Sequence, residues 1–153
     1  MIRKAVLMGL LAGGLMIAAS EAVAKTVVAV SPSVREGISV ELGRRDFRNY
    51  CAACHGVEGT GDGTLAEFLT LSVPDLTKLT KKNAGIFPRE KVLGMIDGRA
   101  DVKIHGPRDM PVWGDWFETE AAADTDAGRE ARAEIVRERI ESLVSYLQTI
   151  QVK

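Results

Sequence analysis

The sequence predicts an all-α domain, because apolar residues recur at helical spacing in three stretches and glycine and proline punctuate the chain between them. The stretches are about 39–54, 88–97 and 131–150. The chain has 153 residues, with 20 Lys and Arg against 21 Asp and Glu. This length fits one hydrophobic core. The balanced charge, with no basic patch, argues against nucleic-acid binding.

The N-terminus has the pattern of a secretory signal peptide. Two basic residues precede an apolar stretch from Ala5 to Ala19, and an A-x-A cleavage site follows at residues 22–24. The apolar stretch is shorter than the roughly 20 residues of a membrane-spanning helix. We therefore expect residues 1–24 to direct export and to be cleaved after Ala24. An uncleaved N-terminal anchor is the alternative.

The remaining residues are predicted to form one domain preceded by a short arm. The arm comprises residues 25–37 and is broken by Pro32, and the domain spans residues 38–153. The first helix is expected from about Ser39 to Cys54. Within it, Gly43, Phe47 and Cys51 follow one another at intervals of four, so they lie along one face.

The sequence Cys51-Ala52-Ala53-Cys54-His55 has the C-x-x-C-H spacing of a covalent haem c attachment site. Two thiols three residues apart can form thioethers with the two vinyl groups of one haem. The histidine that follows is then placed to ligate the iron. The alternatives are a redox disulfide and part of a zinc site. A zinc site needs about four ligands, and the other histidine, His105, is distant in sequence.

Two loops are expected to surround this site. Four glycines between residues 56 and 63 predict a tight loop rather than a helix. An extended turn follows around Pro74, and a backbone carbonyl there could accept a hydrogen bond from Nδ1 of His55. Alternatively, Pro74 is a simple turn former. A short helix is then expected from Pro88 to Asp97, ended by Gly98.

Three residues are candidates for the second axial ligand of the iron. Met110 lies in a loop and is followed by Pro111, which restricts the backbone, so it is the preferred candidate. His105 is a second candidate, although the preferred interpretation of this residue is a loop residue with a local hydrogen bond. Met95 lies within the predicted helix, where packing in the core is the simpler role.

Taken together, the chain resembles a class I c-type cytochrome, in its bacterial, monohaem, periplasmic form. The resemblance implies an all-helical fold in which the helix that ends at the haem motif crosses the C-terminal helix. It also implies that Gly43 and Phe47 face Leu143 and Tyr146. The matching residues are Gly43, Phe47, Cys51, Cys54, His55, Pro74-Asp75-Leu76-Thr77, Met110-Pro111, Val112-Trp113-Gly114 and Leu143-Val144-Ser145-Tyr146-Leu147.

An acidic, alanine-rich insert at about residues 116–130 departs from the family pattern. We expect it to be a solvated loop leading into the last helix, and alternatively a partner-docking surface near the haem edge. Trp113 and Trp116 are either core residues or part of that surface. The acids of the insert are Glu118, Glu120, Asp124 and Asp126, and the predicted inner positions of the last helix are Ile135, Ile140, Leu143, Leu147 and Ile150.

These features predict an electron-transfer protein rather than an enzyme. If His55 and Met110 both ligate the iron of one haem c, no position remains for a substrate, and the haem can only accept and pass an electron. The expected partners are a periplasmic dehydrogenase as donor and a cytochrome, oxidase or reductase as acceptor. The alternatives are a haem subunit held in an oxidoreductase complex, and a haem peroxidase or ligand-binding protein.

Overall fold

The structure, a computed structural model, describes residues 30–99, 110–126 and 128–152. The predicted signal peptide, its cleavage site after Ala24 and His105 lie outside the described residues. Every regular element in the described ranges is helical, which confirms the all-α prediction. No helix in these ranges is both long and apolar enough to cross a membrane.

The described helices follow the chain in a simple order. A π-helical turn, Phe47–Cys51, joins α1 to α2, and two 3-10 turns occupy Ala66–Phe68 and Leu76–Lys78. The α-helices are α1 (Pro32–Asp46), α2 (Ala52–His55), α3 (Leu79–Lys82), α4 (Arg89–Asp97), α5 (Trp113–Asp124) and α6 (Arg129–Thr149).

Helix α1 begins earlier than the predicted start at Ser39. Pro32 occupies the first helical turn rather than breaking the chain, and Ser31 caps the helix by accepting a hydrogen bond from the amide of Val34 at 3.4 Å. Proline is tolerated there because the first amides of a helix have no partner within it. The described C-terminal part of the predicted arm is therefore mostly helical, and the prediction that Pro32 interrupts the chain is wrong.

Helices α1 and α6 cross with their backbones in close contact at Gly43. A Cβ atom on Gly43 would lie 1.9 Å from the carbonyl oxygen of Ser142 and 2.9 Å from the amide nitrogen of Leu143. Beyond this contact, the rings of Phe47 and Tyr146 pack at 5.3 Å between centroids. The crossing and the two facing pairs implied by the family resemblance are thus confirmed.

The core is built on one face of α6. Ile140, Leu143 and Leu147 are buried as predicted, and Ile150 packs partly against the core. The prediction for Ile135 is wrong, since this side chain is 41% exposed and its neighbour Val136 is buried instead. Val136 precedes Ile140 by four positions, which is a helical spacing, whereas Ile135 precedes it by five. The buried apolar residues of α6 are Val136, Ile140, Leu143, Val144, Tyr146 and Leu147.

The acidic insert is mostly a helix rather than the expected loop. Helix α5 covers its first nine residues, 116–124, and α6 begins at Arg129. Phe117 and Ala121 of α5 are buried, and Trp113 packs against the core. Because these three residues recur every fourth position, they give α5 an apolar face against the rest of the domain.

The close approach at Gly43 leads to the first prediction. Gly43→Ala should lower the free energy of unfolding by about 1–3 kcal/mol, because the added methyl group would overlap backbone atoms of α6 that cannot rotate away. Urea unfolding of the purified protein, followed by helical circular dichroism, measures the change.

Gly37→Ala is the matched control for this substitution. Gly37 lies on the same helix, and nothing lies within 4 Å of a Cβ atom built on it. The control should be neutral or more stable by up to about 1 kcal/mol, because alanine favours a helix more than glycine does. Equal stability of the two variants would contradict the proposed role of Gly43.

Candidate functional site

The C-x-x-C-H motif lies at the junction between the π-helical turn and α2. The amide of Ala52 donates to the carbonyl of Phe47, a hydrogen bond that spans five residues instead of four. Such π-turns occur frequently at functional sites. Cys51 ends this turn, and Cys54 and His55 follow on α2. Since residues three apart share a helix face, the local backbone brings the two thiols to the same side.

Cys51 and Cys54 are both partly buried. Burial raises the pKa of Cys51 to about 12, and the negative charges of Asp46 and Cys54 add to the effect. A reactive dithiol of the thioredoxin type needs a cysteine with a lowered pKa. The environment of Cys51 therefore disfavours the interpretation as a redox disulfide.

The imidazole of His55 is oriented by the turn at Pro74. Its Nδ1 lies 3.4 Å from the carbonyl oxygen of Pro74, so the proton on Nδ1 points to a backbone acceptor. Burial lowers the pKa of His55, against the opposing effect of this hydrogen bond. The ring is therefore neutral at neutral pH, which is the form that ligates a metal. No described residue hydrogen-bonds to Nε2, so this nitrogen is available as a ligand atom.

The turn that carries Pro74 is fixed by Asp75. The carboxylate of Asp75 accepts from the amide of Thr77 at 2.9 Å and from its hydroxyl at 2.6 Å. Hydrogen bonds from Lys78 and Thr77 lower the pKa of Asp75 to about 2. The turn thus stays in one conformation while its carboxylate is ionised, and it holds the Pro74 carbonyl towards His55.

The glycine-rich loop folds back onto the haem motif. The amide of Gly61 donates to the carbonyl of His55 at 2.8 Å, and the amide of Gly63 donates to that of Cys54 at 3.2 Å. Gly61 has a φ of +89°, and a Cβ on it would lie 2.6 Å from the carbonyl oxygen of Val73. Glycine is required at this position both by the backbone conformation and by the contact.

The sequence model of the Cytochrome c family matches residues 40–151. The chain belongs to the cytochrome c family. The matched range covers most of the chain and includes both cysteines and His55. The family binds haem c covalently, so Cys51 and Cys54 are the attachment residues of this member. No curated protein matches the chain, and no solved structure matches it either.

The described residues contain no group of three or more His, Cys, Asp and Glu side chains that could hold a metal ion. A structural zinc site needs such a group, so the described part of this cytochrome c offers no complete set of zinc ligands. A haem needs from the protein only the two thiols and its axial ligands. Cys51, Cys54 and His55 supply the two thiols and one of these ligands.

Apolar side chains beside the motif also fit a haem. The segment after the glycine-rich loop exposes four large apolar side chains, of which Phe68 is 74% exposed. The amide of Leu65 donates to the carbonyl of Ala53 within the motif, so this apolar segment begins next to the two cysteines. The four are Leu65, Phe68, Leu69 and Leu71.

The candidates for the second axial ligand are placed differently. Met110 is half-buried, packs against the core and lies just before α5. Met95 is half-buried within α4, between the buried Val92 and Ile96. His105 lies outside the described residues, so the structure does not compare it with Met110.

A network of charged and aromatic residues beside the motif was not predicted. Asp46 directly precedes the π-helical turn and Tyr50 lies within it, and both join a cluster centred on Arg139 of α6. Glu120 of the acidic insert completes the cluster. The sequence gives no local signal of it, because Asp46 and Arg139 are 93 positions apart. The one indication in the sequence is Asp46, a charged residue three positions after Gly43 and so on the face of α1 that packs against α6.

Proposed function

We propose that this cytochrome c is a periplasmic one-electron carrier with a single haem c whose axial ligands are His55 and Met110. The observation that carries the proposal is the contact between Nδ1 of His55 and the carbonyl of Pro74. It orients a neutral imidazole with Nε2 available directly beside the two attachment cysteines. Such a hydrogen bond fixes the tautomer of a metal-bound histidine and makes it a stronger ligand.

When bound, the haem supplies reversible one-electron chemistry at its iron. The protein holds the group through Cys51 and Cys54, and His55 would provide the proximal ligand. Met110 would provide the second ligand, which leaves no position for a substrate and raises the reduction potential relative to a second histidine. These roles require no acid, base or nucleophile from the protein, in agreement with an electron carrier rather than an enzyme.

The N-terminal pattern supports the proposed location, and the one-electron chemistry of a haem supports the proposed kind of partner. A leader of residues 1–24 would direct the chain to the bacterial periplasm. There it would accept electrons from a dehydrogenase and pass them to a cytochrome, an oxidase or a reductase. The single C-x-x-C-H motif of the sequence supports one haem per chain.

Replacement of the proposed axial methionine tests the ligand set. Met110→Ala should abolish the weak near-infrared sulfur-to-iron band of the oxidised protein, open the iron to carbon monoxide in the reduced protein and lower the reduction potential. Absorption spectra and a redox titration measure these effects. Met95→Ala is the matched control and should leave all three properties unchanged. If Met95→Ala removes the band instead, Met110 is not the ligand.

We propose that partners dock beside α5, around the exposed Trp116 and the acids at the C-terminal end of the helix. Trp116 is 54% exposed, while Trp113 packs edge-on against Tyr50 and belongs to the core side. The four acids of the insert are not equivalent. Glu118 pairs with Arg99 and Glu120 with Arg139, whereas Asp124 and Asp126 are exposed. Asp124 and Asp126 are therefore more accessible to the basic residues of a partner than Glu118 and Glu120 are, and we call this exposed pair the negative rim.

Neutralising this rim should slow electron transfer with the native partner. Asp124→Asn combined with Asp126→Asn is expected to reduce the association rate several-fold at low ionic strength, and the difference should shrink as salt screens the charges. Stopped-flow kinetics at several salt concentrations measure it. A control with Glu36→Gln and Glu138→Gln, two exposed acids on α1 and α6, removes the same charge elsewhere. An identical slowing in both double variants would exclude a specific docking site.

A further inference from the structure

Arg139 of α6 links three helices through two carboxylates. Its Nε donates to Oδ2 of Asp46 on α1 at 2.6 Å, and its Nη1 donates to Oε2 of Glu120 on α5 at 2.6 Å. Asp46 is only 4% exposed. Because a buried charge without its partner is strongly unfavourable, these pairs constrain the three helices to one arrangement.

The same cluster holds the turn that carries Cys51. Asp46 is the residue directly before this turn, and Tyr50 lies within it. The hydroxyl of Tyr50 donates to Glu120 at 3.1 Å, and the Arg139 guanidinium stacks 5.0 Å from the centroid of the Tyr50 ring. Both sides of the π-helical turn are therefore fixed to α5 and α6.

Helix α5 is the other element that the cluster fixes. The Arg139 guanidinium also lies 4.0 Å from the ring centroid of Phe117, and Trp116 donates to Glu120 at 2.9 Å. Burial raises the pKa of Glu120, but hydrogen bonds from Arg139, Trp116 and Tyr50 outweigh it, and the net pKa is lowered. Glu120 is thus ionised at neutral pH and serves as an internal anchor of α5.

The start of α5 is close in sequence to Met110. Trp113 begins the helix after only Pro111 and Val112, and Gly114 in the first turn lies against α4, where a Cβ would be 2.2 Å from Oδ1 of Asp97. The short segment that carries Met110 therefore leads into a helix that is fixed on α4 and on the Arg139 cluster.

We infer that Arg139 and Glu120, with Tyr50 and Asp46, are positioning residues that keep the Met110 thioether where it could serve as the second ligand of the haem iron. The inference rests on the proposed His55 and Met110 ligation and assigns a role to the acidic insert. The cluster fixes the haem motif on one side and the helix that follows Met110 on the other. Loss of the cluster should therefore release the methionine before the fold itself is lost.

The experiment compares loss of ligation with loss of fold in the holoprotein. The oxidised protein is heated while the near-infrared band and the helical circular dichroism are recorded together, and carbon monoxide binding is measured on the reduced protein. The variants are Arg139→Met, Glu120→Gln and Tyr50→Phe. The control is Arg137→Met, which breaks the exposed pair with Glu134 on the same helix.

In Arg139→Met, Glu120→Gln and Tyr50→Phe, the near-infrared band should disappear further below the temperature of helix unfolding than it does in the wild type. Carbon monoxide affinity should rise on the order of tenfold, because a larger fraction of the protein has an open iron. Tyr50→Phe should show a smaller effect in the same direction. The control should behave like the wild type. If Arg139→Met does not fold, Glu120→Gln and Tyr50→Phe decide the question, since both keep the pair between Arg139 and Asp46.

The inference would be overturned if Glu120→Gln and Tyr50→Phe kept the wild-type temperature difference between loss of the near-infrared band and helix unfolding. It would also be overturned if the Arg137→Met control changed this difference as much as the cluster variants do. In either case the band of the wild type would still support His55 and Met110 as ligands. Absence of the band from the wild type would instead overturn the proposed ligation, and the inference with it.

Discussion

The close crossing of α1 and α6 at Gly43 is the constraint on which the rest of the structure depends. Only a residue without a side chain lets the two backbones approach so closely, and a Cβ there would overlap the Ser142 carbonyl. The contact brings Phe47 onto Tyr146 and fixes the end of α1, from which the π-helical turn and the haem motif continue. A local choice of residue thereby determines where the two cysteines and His55 lie.

The acidic insert illustrates how a surface-like sequence can have an internal role. By composition it resembles a solvated loop, yet α5 buries Phe117 and Ala121 and directs Glu120 to Arg139. The pairs of Arg139 with Asp46 and Glu120 contribute little net stability compared with apolar packing, but loss of one partner would leave a charge unpaired, which favours this arrangement of the helices. Glu120, an acid of the insert that was expected to face a partner, instead pairs with Arg139 and joins α5 to α6.

The sequence predicted the parts of the molecule that depend on local spacing. The haem motif, α4 with its terminal Gly98 and the facing pair of Gly43 and Leu143 follow from short-range patterns and from the family resemblance. The start of α1 was missed because proline ends some helices and begins others, and the capping by Ser31 decides between them. The Arg139 cluster was missed because its members are far apart in the chain and meet only after the helices pack.

Covalent attachment of one haem at Cys51 and Cys54 is the basis of every role proposed for the other residues. Intact mass spectrometry of the purified protein under denaturing conditions tests this most directly. The expected mass is that of residues 25–153 plus one haem, and a variant with both cysteines changed to alanine should lose the haem on denaturation. A wild-type mass equal to the polypeptide alone with a Cys51–Cys54 disulfide would contradict the account.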